Sequence, residues 1–321
     1  MHERVLAVPL LRTGGHPSAE RRALQRRVHR GELVAIRPGV LVDPAHLVGL
    51  RPEHEHLLLV KATAPSIRAP TMISHASAAV VHGLPVVGRP PVKVEVTDPR
   101  RERSETSALL RVHGAPLRTE RDERDERDER WSGLPPTSPI EFCGATTTSL
   151  VRTLVDVAST IPLLEALPMI DAALHDRRLL PDMLVEELDS RARKGRAKAA
   201  LAVGMGSALS ESPAESVCRV RFRQVGAPDP VQQHVFARAG ERSAVVDFWF
   251  PEQGVVVEVD GRAKYTEHGD SPADAHWREK RREDFVRSFP EVRFVVRLSW
   301  ADLMDADRVR LALTRAGVPC R

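Results

Sequence analysis

The sequence has little of what disulfide frameworks and zinc sites are made from. Its 3 cysteines, Cys143, Cys218 and Cys320, are scattered, with no Cys-x-x-Cys and no Cys/His cluster at ligand spacing. A disulfide-stapled scaffold and a zinc finger are therefore excluded, and the usage points to a reducing, cytoplasmic setting. No run of about 18 apolar residues occurs, and the short apolar stretch at the N-terminus is broken by Pro9, so the pattern predicts neither a signal peptide nor a membrane span. Neither sign of charge dominates: 48 Lys and Arg against 44 Asp and Glu leave a net +4. With 321 residues, 42% of them hydrophobic, the chain is long enough for two or three domains with real cores, and disorder throughout is excluded.

What the chain does have is basic residues in blocks. Ser18-Ala-Glu-Arg21 opens a helix, Leu24, Val28 and Leu33 supply apolar positions near helical spacing, and Gly31 ends it. Two short strands, 33–36 and 40–42, come next around the turn Arg37-Pro38-Gly39. Helix then hairpin reads as a winged helix over residues 1–50. Its helix carries Arg21, Arg22, Arg26, Arg27 and Arg30, with Arg37 at the turn; Arg offers both the charge and the forked donor that phosphate oxygens require. An ordinary solvated face is the alternative. A second block, Arg191, Arg193, Lys194, Arg196, Lys198, Arg219, Arg221 and Arg223 against Glu211 and Glu215, also suggests a polyanion partner.

Residues 51–194 read as a mixed, mainly helical middle domain. Helices are expected over 53–67 and 73–83, and a strand with Val92, Val94 and Val96 on one side. The repeated ERDERDERDER at 120–130 has no apolar residue and is a solvated insertion without assigned function. From Thr148 two or three packed helices are expected, interrupted at Pro162 and Pro168. His54, His56, His75, His82 and His175 have no paired carboxylates at ligand spacing and read as surface or packing residues.

The chemistry concentrates in residues 195–321. Ser212-Pro-Ala-Glu215 starts a helix, SAVVDFWF gives a strand ending near Asp247, and GVVVEVDG a second strand beyond the turn at 251–254. Alternation puts Glu258 and Asp260 on one strand face, and a hairpin partner can bring Asp247 beside them. Crowded carboxylates repel unless a divalent cation neutralises them, so the cluster implies Mg²⁺ or Mn²⁺ with oxygen ligands. Beyond lie Arg262, Lys264 and Tyr265, then a helix on which His276, Lys280, Glu283 and Arg287 share a face, then a strand over 292–298 and a terminal helix from about Ala301. The order helix, strand, strand, helix, strand, helix predicts an α/β sandwich around a mixed sheet, within an α+β chain overall.

The stretch DFWFPEQGVVVEVDGRAKY, the helix WREKRRED and the ending VVRLSWADL resemble the endonuclease-like domain related to very-short-patch-repair endonucleases, in the PD-(D/E)XK superfamily, over about residues 205–315. The segment AERRALQRRVHRGELVAIRPGVLV resembles the winged helix of AbiEi-type antitoxins. The first resemblance implies a restriction-endonuclease-like fold and metal-dependent DNA hydrolysis. It makes Asp247 the metal-binding aspartate, Glu258 the acid of the Glu-x-Lys motif and Glu215 the helix glutamate, with Asp260 or Glu215 completing the shell. Asp260 stands where the motif has lysine, which leaves Lys264 and Lys280 as candidate cations and His268 or His276 as candidate histidines. The expected function is a DNA-binding protein that hydrolyses, by nicking, phosphodiester bonds. The alternative is a non-catalytic DNA-binding regulator with a degenerate nuclease fold, and a third reading has a protein partner in a defence or toxin-antitoxin setting.

Overall fold

The computed structural model describes residues 2–114, 138–190, 195–240, 243–260 and 272–321. They form two compact units, Met1–Pro162 with Arg178–Gly204, and Leu163–Arg177 with Met205–Arg321. The class is α+β, as expected. The charged run 120–130, Arg191, Arg193, Lys194, Arg262, Lys264, Tyr265 and His268 lie outside the described residues, as does the side chain of His276. Among the described residues no helix is long and apolar enough to cross a membrane.

The first unit opens with α1 (His2–Ala7), β1 (Leu11–Arg12), α2 (Ser18–His29), β2 (Val34–Arg37) and β3 (Val40–Val42). Its three strands form a sheet in the order β1-β3-β2. Helix α2 closes where the sequence says it should: Gly31 takes φ +74, a left-handed conformation cheap for glycine. One apolar stripe fixes it, Leu24 packing with Leu33, Leu41, Leu11 and Val28. The N-terminal segment also shares a wider core with residues beyond 50, since Val5, Val8 and Val42 cluster with Leu57, Leu58, Ile73 and Val94. The segments 1–50 and most of 51–194 thus lie within one unit.

Beyond residue 50 that unit contains α3 (Pro52–Thr63), β4 (Met72–Ile73), α4 (His75–Val81), β5 (Val94–Asp98), β6 (Glu105–Thr106), β7 (Leu110–Gly114), β8 (Ile140–Phe142), β9 (Ala145–Thr147) and α5 (Leu150–Thr160). Six strands pair in the order β6-β7-β5-β4-β9-β8, so the middle region holds more sheet than a mainly helical reading expects. Most of these strands are two or three residues long, too short to display a period of two. The helix α6 (Leu163–His175) belongs to the second unit, whereas α7 (Pro181–Asp189) and nearly all of α8 (Arg196–Met205) return to the first. Pro162 separates α5 from α6 as expected, but Pro168 lies inside α6 and does not break it. Ala166, Leu167, Met169, Ile170 and Ala173 around it are buried, and that packing outweighs the one lost backbone bond.

The second unit continues with α9 (Pro213–Gln224), β10 (Val231–Ala237), β11 (Ser243–Phe250), β12 (Val255–Asp260), α10 (Pro272–Arg287), β13 (Phe294–Ser299), α11 (Trp300–Leu303) and α12 (Ala306–Arg315). The sheet order is β10-β11-β12-β13, with the first three strands antiparallel and the last pair parallel. On one face Phe222 of α9 meets Phe248 and Phe250 edge-on, at 5.1 and 5.3 Å between ring centres. On the other, Phe285, Val286 and Phe289 from the α10 region pack on Phe236, Val246, Trp249 and Val256. This is the expected sandwich around a mixed sheet, with one strand more than the sequence order suggested. The extra strand β10 carries Gln232, Gln233 and His234 at its centre, which hides its apolar alternation. Gly254 makes the β11–β12 turn possible: it takes φ +67, and a Cβ there would stand 2.5 Å from the Glu291 carbonyl oxygen.

Candidate functional site

Strands β11 and β12 pair through Phe250↔Val255, Trp249↔Val256 and Phe248↔Val257, and the ladder stops there. The next pair in register would set Asp247 opposite Glu258. Instead the strands part, and side chains take over their backbone groups. The Asp247 Oδ2 accepts the Val259 amide at 2.8 Å. From α10, Arg282 Nη1 donates to the Val245 carbonyl at 2.6 Å while its Nη2 lies 2.8 Å from Glu258 Oε2. On the other flank, Gln232↔Phe248 and His234↔Val246 pair, but Gln233, at φ +49, does not pair with Asp247. Asp247 therefore sits buried, at 7% exposure, where both neighbouring ladders are interrupted. Such irregularities re-aim a side chain and recur at functional sites.

Glu215 lies in the first turn of α9, whose N-cap is Ser212. Its Oε1 accepts the Ser212 hydroxyl at 2.7 Å, and its Oε2 accepts the Glu211 amide at 3.0 Å and Gln233 Nε2 at 2.9 Å. These bonds resemble a capping box and by themselves account for a glutamate at this position. One turn further, burial holds the Cys218 thiol well above its usual range, and the charges of Asp247 and Glu215 add to the rise. Glu215 and Asp247 thus both act on Cys218, and Gln233, opposite Asp247 in register, ties Glu215 to β10.

The expected convergence of Asp247, Glu258 and Asp260 on one face is not what the structure holds. Strand β11 breaks alternation at Asp247: Val246 packs toward α10 and Phe248 toward α9. Asp247 bonds in the gap near Glu215 and Cys218, whereas Glu258 follows Val256 toward α10 and is held by Arg282. Asp260 is exposed at the end of β12. Lys280 is exposed too, its Nζ over the Trp277 ring at 5.5 Å from the centroid; in this arrangement it is a cation–π partner. The carboxylate oxygens of Asp247 and Glu258 on adjoining strands fit Mg²⁺ or Mn²⁺ in donor type. Among the described residues, however, no three His, Cys, Asp or Glu groups are gathered closely enough to hold a metal ion.

The basic residues also sort themselves. Arg21, Arg22 and Arg26 are exposed on α2 and make no ion pair among the described residues. Arg27 and Arg30 are engaged by Glu32, at 3.3 and 2.6 Å. Arg37 turns to Ser66, Nη1 to Oγ 3.1 Å, and its Nε is buried without a hydrogen-bond partner among the described residues; burial and then the neighbouring Arg12 lower its pKa. In the second basic block, the described Arg196, Arg219 and Arg221 have partners in the protein. Arg196 pairs with Asp189 at 2.6 Å, Arg219 pairs with the buried Asp171 at 2.8 Å and donates to the Met205 carbonyl, and Arg221 donates to the carbonyls of Leu303 and Met304.

A buried polar array in the first unit escaped sequence reasoning. His75, in the left-handed region at φ +52, stacks on His113 with ring centres 3.5 Å apart. Ser74 Oγ meets His75 Nδ1 at 2.9 Å and accepts the Thr97 hydroxyl at 2.8 Å. Glu95 accepts the Ala76 amide at 3.0 Å and lies 3.3 Å from His113 Nε2. Ser77 Oγ accepts the Glu95 amide and meets His56 Nε2, both at 2.8 Å. Burial pushes His56 and His75 down to about 4, so both are neutral at ordinary pH. His54 is buried as well. The packing role expected of these histidines fits this array, but no spacing in the sequence announces which distant residues they meet.

No family model and no curated protein matches this chain. Among solved structures, the crystal structure of the RV2827C protein from Mycobacterium tuberculosis is similar over 71% of this chain and 76% of that one, at 17% identity and a TM-score of 0.36.

Proposed function

We propose that this protein binds DNA and that its C-terminal unit hydrolyses, by nicking, the phosphodiester backbone. The observation that carries the reading is the gap between β11 and β12, where Asp247 replaces a ladder partner, Glu258 stands on the adjoining strand and Arg282 bridges the two strands. A divalent cation, when bound, supplies activation of water and charge neutralisation on the phosphate. Asp247 and Glu258 are the two carboxylates assigned to it, and in this structure they stand on adjoining strands with different partners and do not by themselves form a ligand set. Glu215, locked by three donors, keeps the start of α9 and Gln233 in place behind Asp247. The exposed Arg21, Arg22 and Arg26 supply backbone contacts that position DNA without reading its sequence.

The second reading, a non-catalytic DNA-binding regulator, draws on the same ion pair: a glutamate neutralised by Arg282 has less need of a metal. Conversion of supercoiled plasmid to open circle, in Mg²⁺ or Mn²⁺ and in EDTA, separates the two. Metal-dependent nicking that Asp247→Ala and Glu258→Ala each abolish is expected. Wild type and both variants equally inert, yet still binding DNA, would leave the regulator.

A further inference from the structure

The three-stranded sheet of the first unit has two unlike sides. Leu41 of β3 packs with Leu24 of α2, whereas Val42 packs with Leu57 and Leu58 of α3, so alternation turns Val40 toward α3 as well. Arg12 on β1 and Arg37 on β2 are both register partners of Val40, and a bulge between Ala35 and Arg37 brings the second there. Residues directly opposed across strands share a face, so both arginines lie on the side away from α2. Both then turn to the C-terminal end of α3. Arg12 Nη1 donates to the Ala62 carbonyl at 3.1 Å, and Arg37 Nη1 donates to Ser66 Oγ at 3.1 Å, while the Ser66 hydroxyl donates to the Thr63 carbonyl at 2.6 Å. These partners are all neutral, and neither guanidinium makes an ion pair among the described residues. A helix C-terminus offers only about half a negative charge, so two guanidinium groups there leave a surplus of about +1.5. Burial and then the charge of Arg12 lower the pKa of Arg37, and its Nε has no hydrogen-bond partner among the described residues. Capping alone accounts for one cation at this helix end and leaves the second, held against repulsion, unexplained.

We infer that Arg12 and Arg37 together form a binding site for a phosphoryl oxyanion, on the opposite side of the sheet from the arginines of α2. Each guanidinium has five N–H donors, and among the described residues each makes one hydrogen bond from its side chain. Arg12 is exposed and Arg37 half-buried, so the remaining donors have an approach from solvent at Arg12. Phosphoryl oxygens take parallel N–H bonds from such a fork, and an anion shared by the two groups turns their repulsion into attraction. A nucleic-acid backbone and a small phosphate both carry this chemistry. The site does not depend on the nuclease reading, and an inert result in the plasmid assay leaves it untouched.

The test titrates the full chain with inorganic phosphate by calorimetry at constant ionic strength, and with a DNA duplex by fluorescence anisotropy across a salt series. Arg12→Gln combined with Arg37→Gln keeps an N–H donor at each position. The double variant should bind phosphate about tenfold more weakly than wild type, a difference of about 1.4 kcal/mol. Alanine at 21, 22 and 26 should leave phosphate binding unchanged. A backbone as the source also makes the salt dependence of duplex binding shallower by about 1 in the log–log slope, with or without an effect on free phosphate. Phosphate binding lost with the slope unchanged assigns the site to a small phosphate. If the double variant changes neither, the two arginines are helix caps and the site is overturned. An equal loss of phosphate binding in the α2 variant overturns it too, because the effect is then one of net charge. Should the double variant not melt like the wild type, phenylglyoxal labelling of the wild type decides. Phosphate or duplex at about four times its Kd should slow modification of Arg12 about fivefold, and labelling that neither one slows overturns the site.

Discussion

Helices α2 and α9 are both 12 residues long and both rich in arginine, yet Arg21, Arg22 and Arg26 on the first and Arg219 and Arg221 on the second have opposite fates. On α2 only Leu24 is buried, so the helix rests on one stripe and Arg21, Arg22 and Arg26 stand in water. On α9 Ala214, Val217, Cys218, Val220 and Phe222 are all buried. Arginines at 219 and 221 then lie at the edge of a wide apolar surface, where each must find oxygen partners as it is desolvated. Counting basic residues cannot separate the two cases. The width of the apolar face around them does, because it decides whether a guanidinium is an offered ligand or an internal tie.

The largest effect should come from cutting that internal tie. Burial raises the pKa of Asp171, while Arg219, the Ser207 amide, Ser216 and Ser210 oppose the rise. Asp171→Ala strands Arg219 in a site that is 15% exposed, and about 3–5 kcal/mol of stability should be lost. Urea denaturation reads this as a lower midpoint. Replacing both partners, Asp171→Leu with Arg219→Met, should recover most of the loss, since no charge is left behind. A single substitution as mild as the double one would mean that α9 holds its arginines no more tightly than α2 does.

A second contrast sets this buried charge pair against the buried imidazoles of the first unit. His56 and His75 titrate near 4 in the folded protein because burial disfavours their charged forms. For His75, Asp156 and Glu95 pull the other way, while His113 and Arg152 add to the lowering; for His56, Glu95 and the Pro91 carbonyl oppose burial. The unfolded chain takes up these protons near 6.5, so it binds more protons than the native state between about 4 and 6.5. Stability is then full above that window and falls as pH drops through it, by about 3 kcal/mol for each histidine. Melting curves at pH 7 and pH 5 check the sign, and His56→Gln, which keeps a hydrogen bond to Ser77 possible, should flatten the slope. A slope unchanged by that substitution removes His56 from the account.

The sequence carries the outline of both units but not the inversions inside them. The hairpin after α2 is legible from Arg37-Pro38-Gly39 and the helix end from Gly31, because turn chemistry is local. Asp247, Glu258 and Glu215 are legible as unusual carboxylates on the correct elements. Their grouping is not. Strand alternation is a rule of period two, and one interrupted position at Asp247, facing Gln233 at positive φ, sends Asp247 and Glu258 to different partners. Motif reasoning looks for lysine, and so points to Lys264 and Lys280 and passes over Arg282. The reach of Arg282 to Val245 and Glu258 depends on how α10 lies across the sheet, a tertiary fact that no spacing contains. The stacking of His75 on His113 is of the same kind.

The mildest probe compares the two classes of arginine within α2 and its C-cap. Arg21, Arg22 and Arg26 carry no ion pair among the described residues, whereas Arg27 and Arg30 share Glu32. The hydrogen bond from Arg30 is the main reason the Glu32 carboxyl titrates below its usual range. If α2 grips a phosphate backbone, alanine at 21, 22 and 26 together should make the salt dependence of duplex binding shallower by about 3 in the log–log slope, at roughly 0.9 per phosphate contact. Glu32→Ala should act in the opposite sense and less strongly, steepening the slope by at most about 2 as the two released guanidinium groups become available. Both variants should melt like the wild type, since the substituted side chains lie outside the Leu24, Leu33 and Leu41 cluster. Fluorescence anisotropy of one duplex across a salt series reads both signs in a single design. If the triple variant leaves the slope untouched, the arginine face of α2 is only solvated, and its contrast with α9 is between water and protein as partners, with no DNA involved.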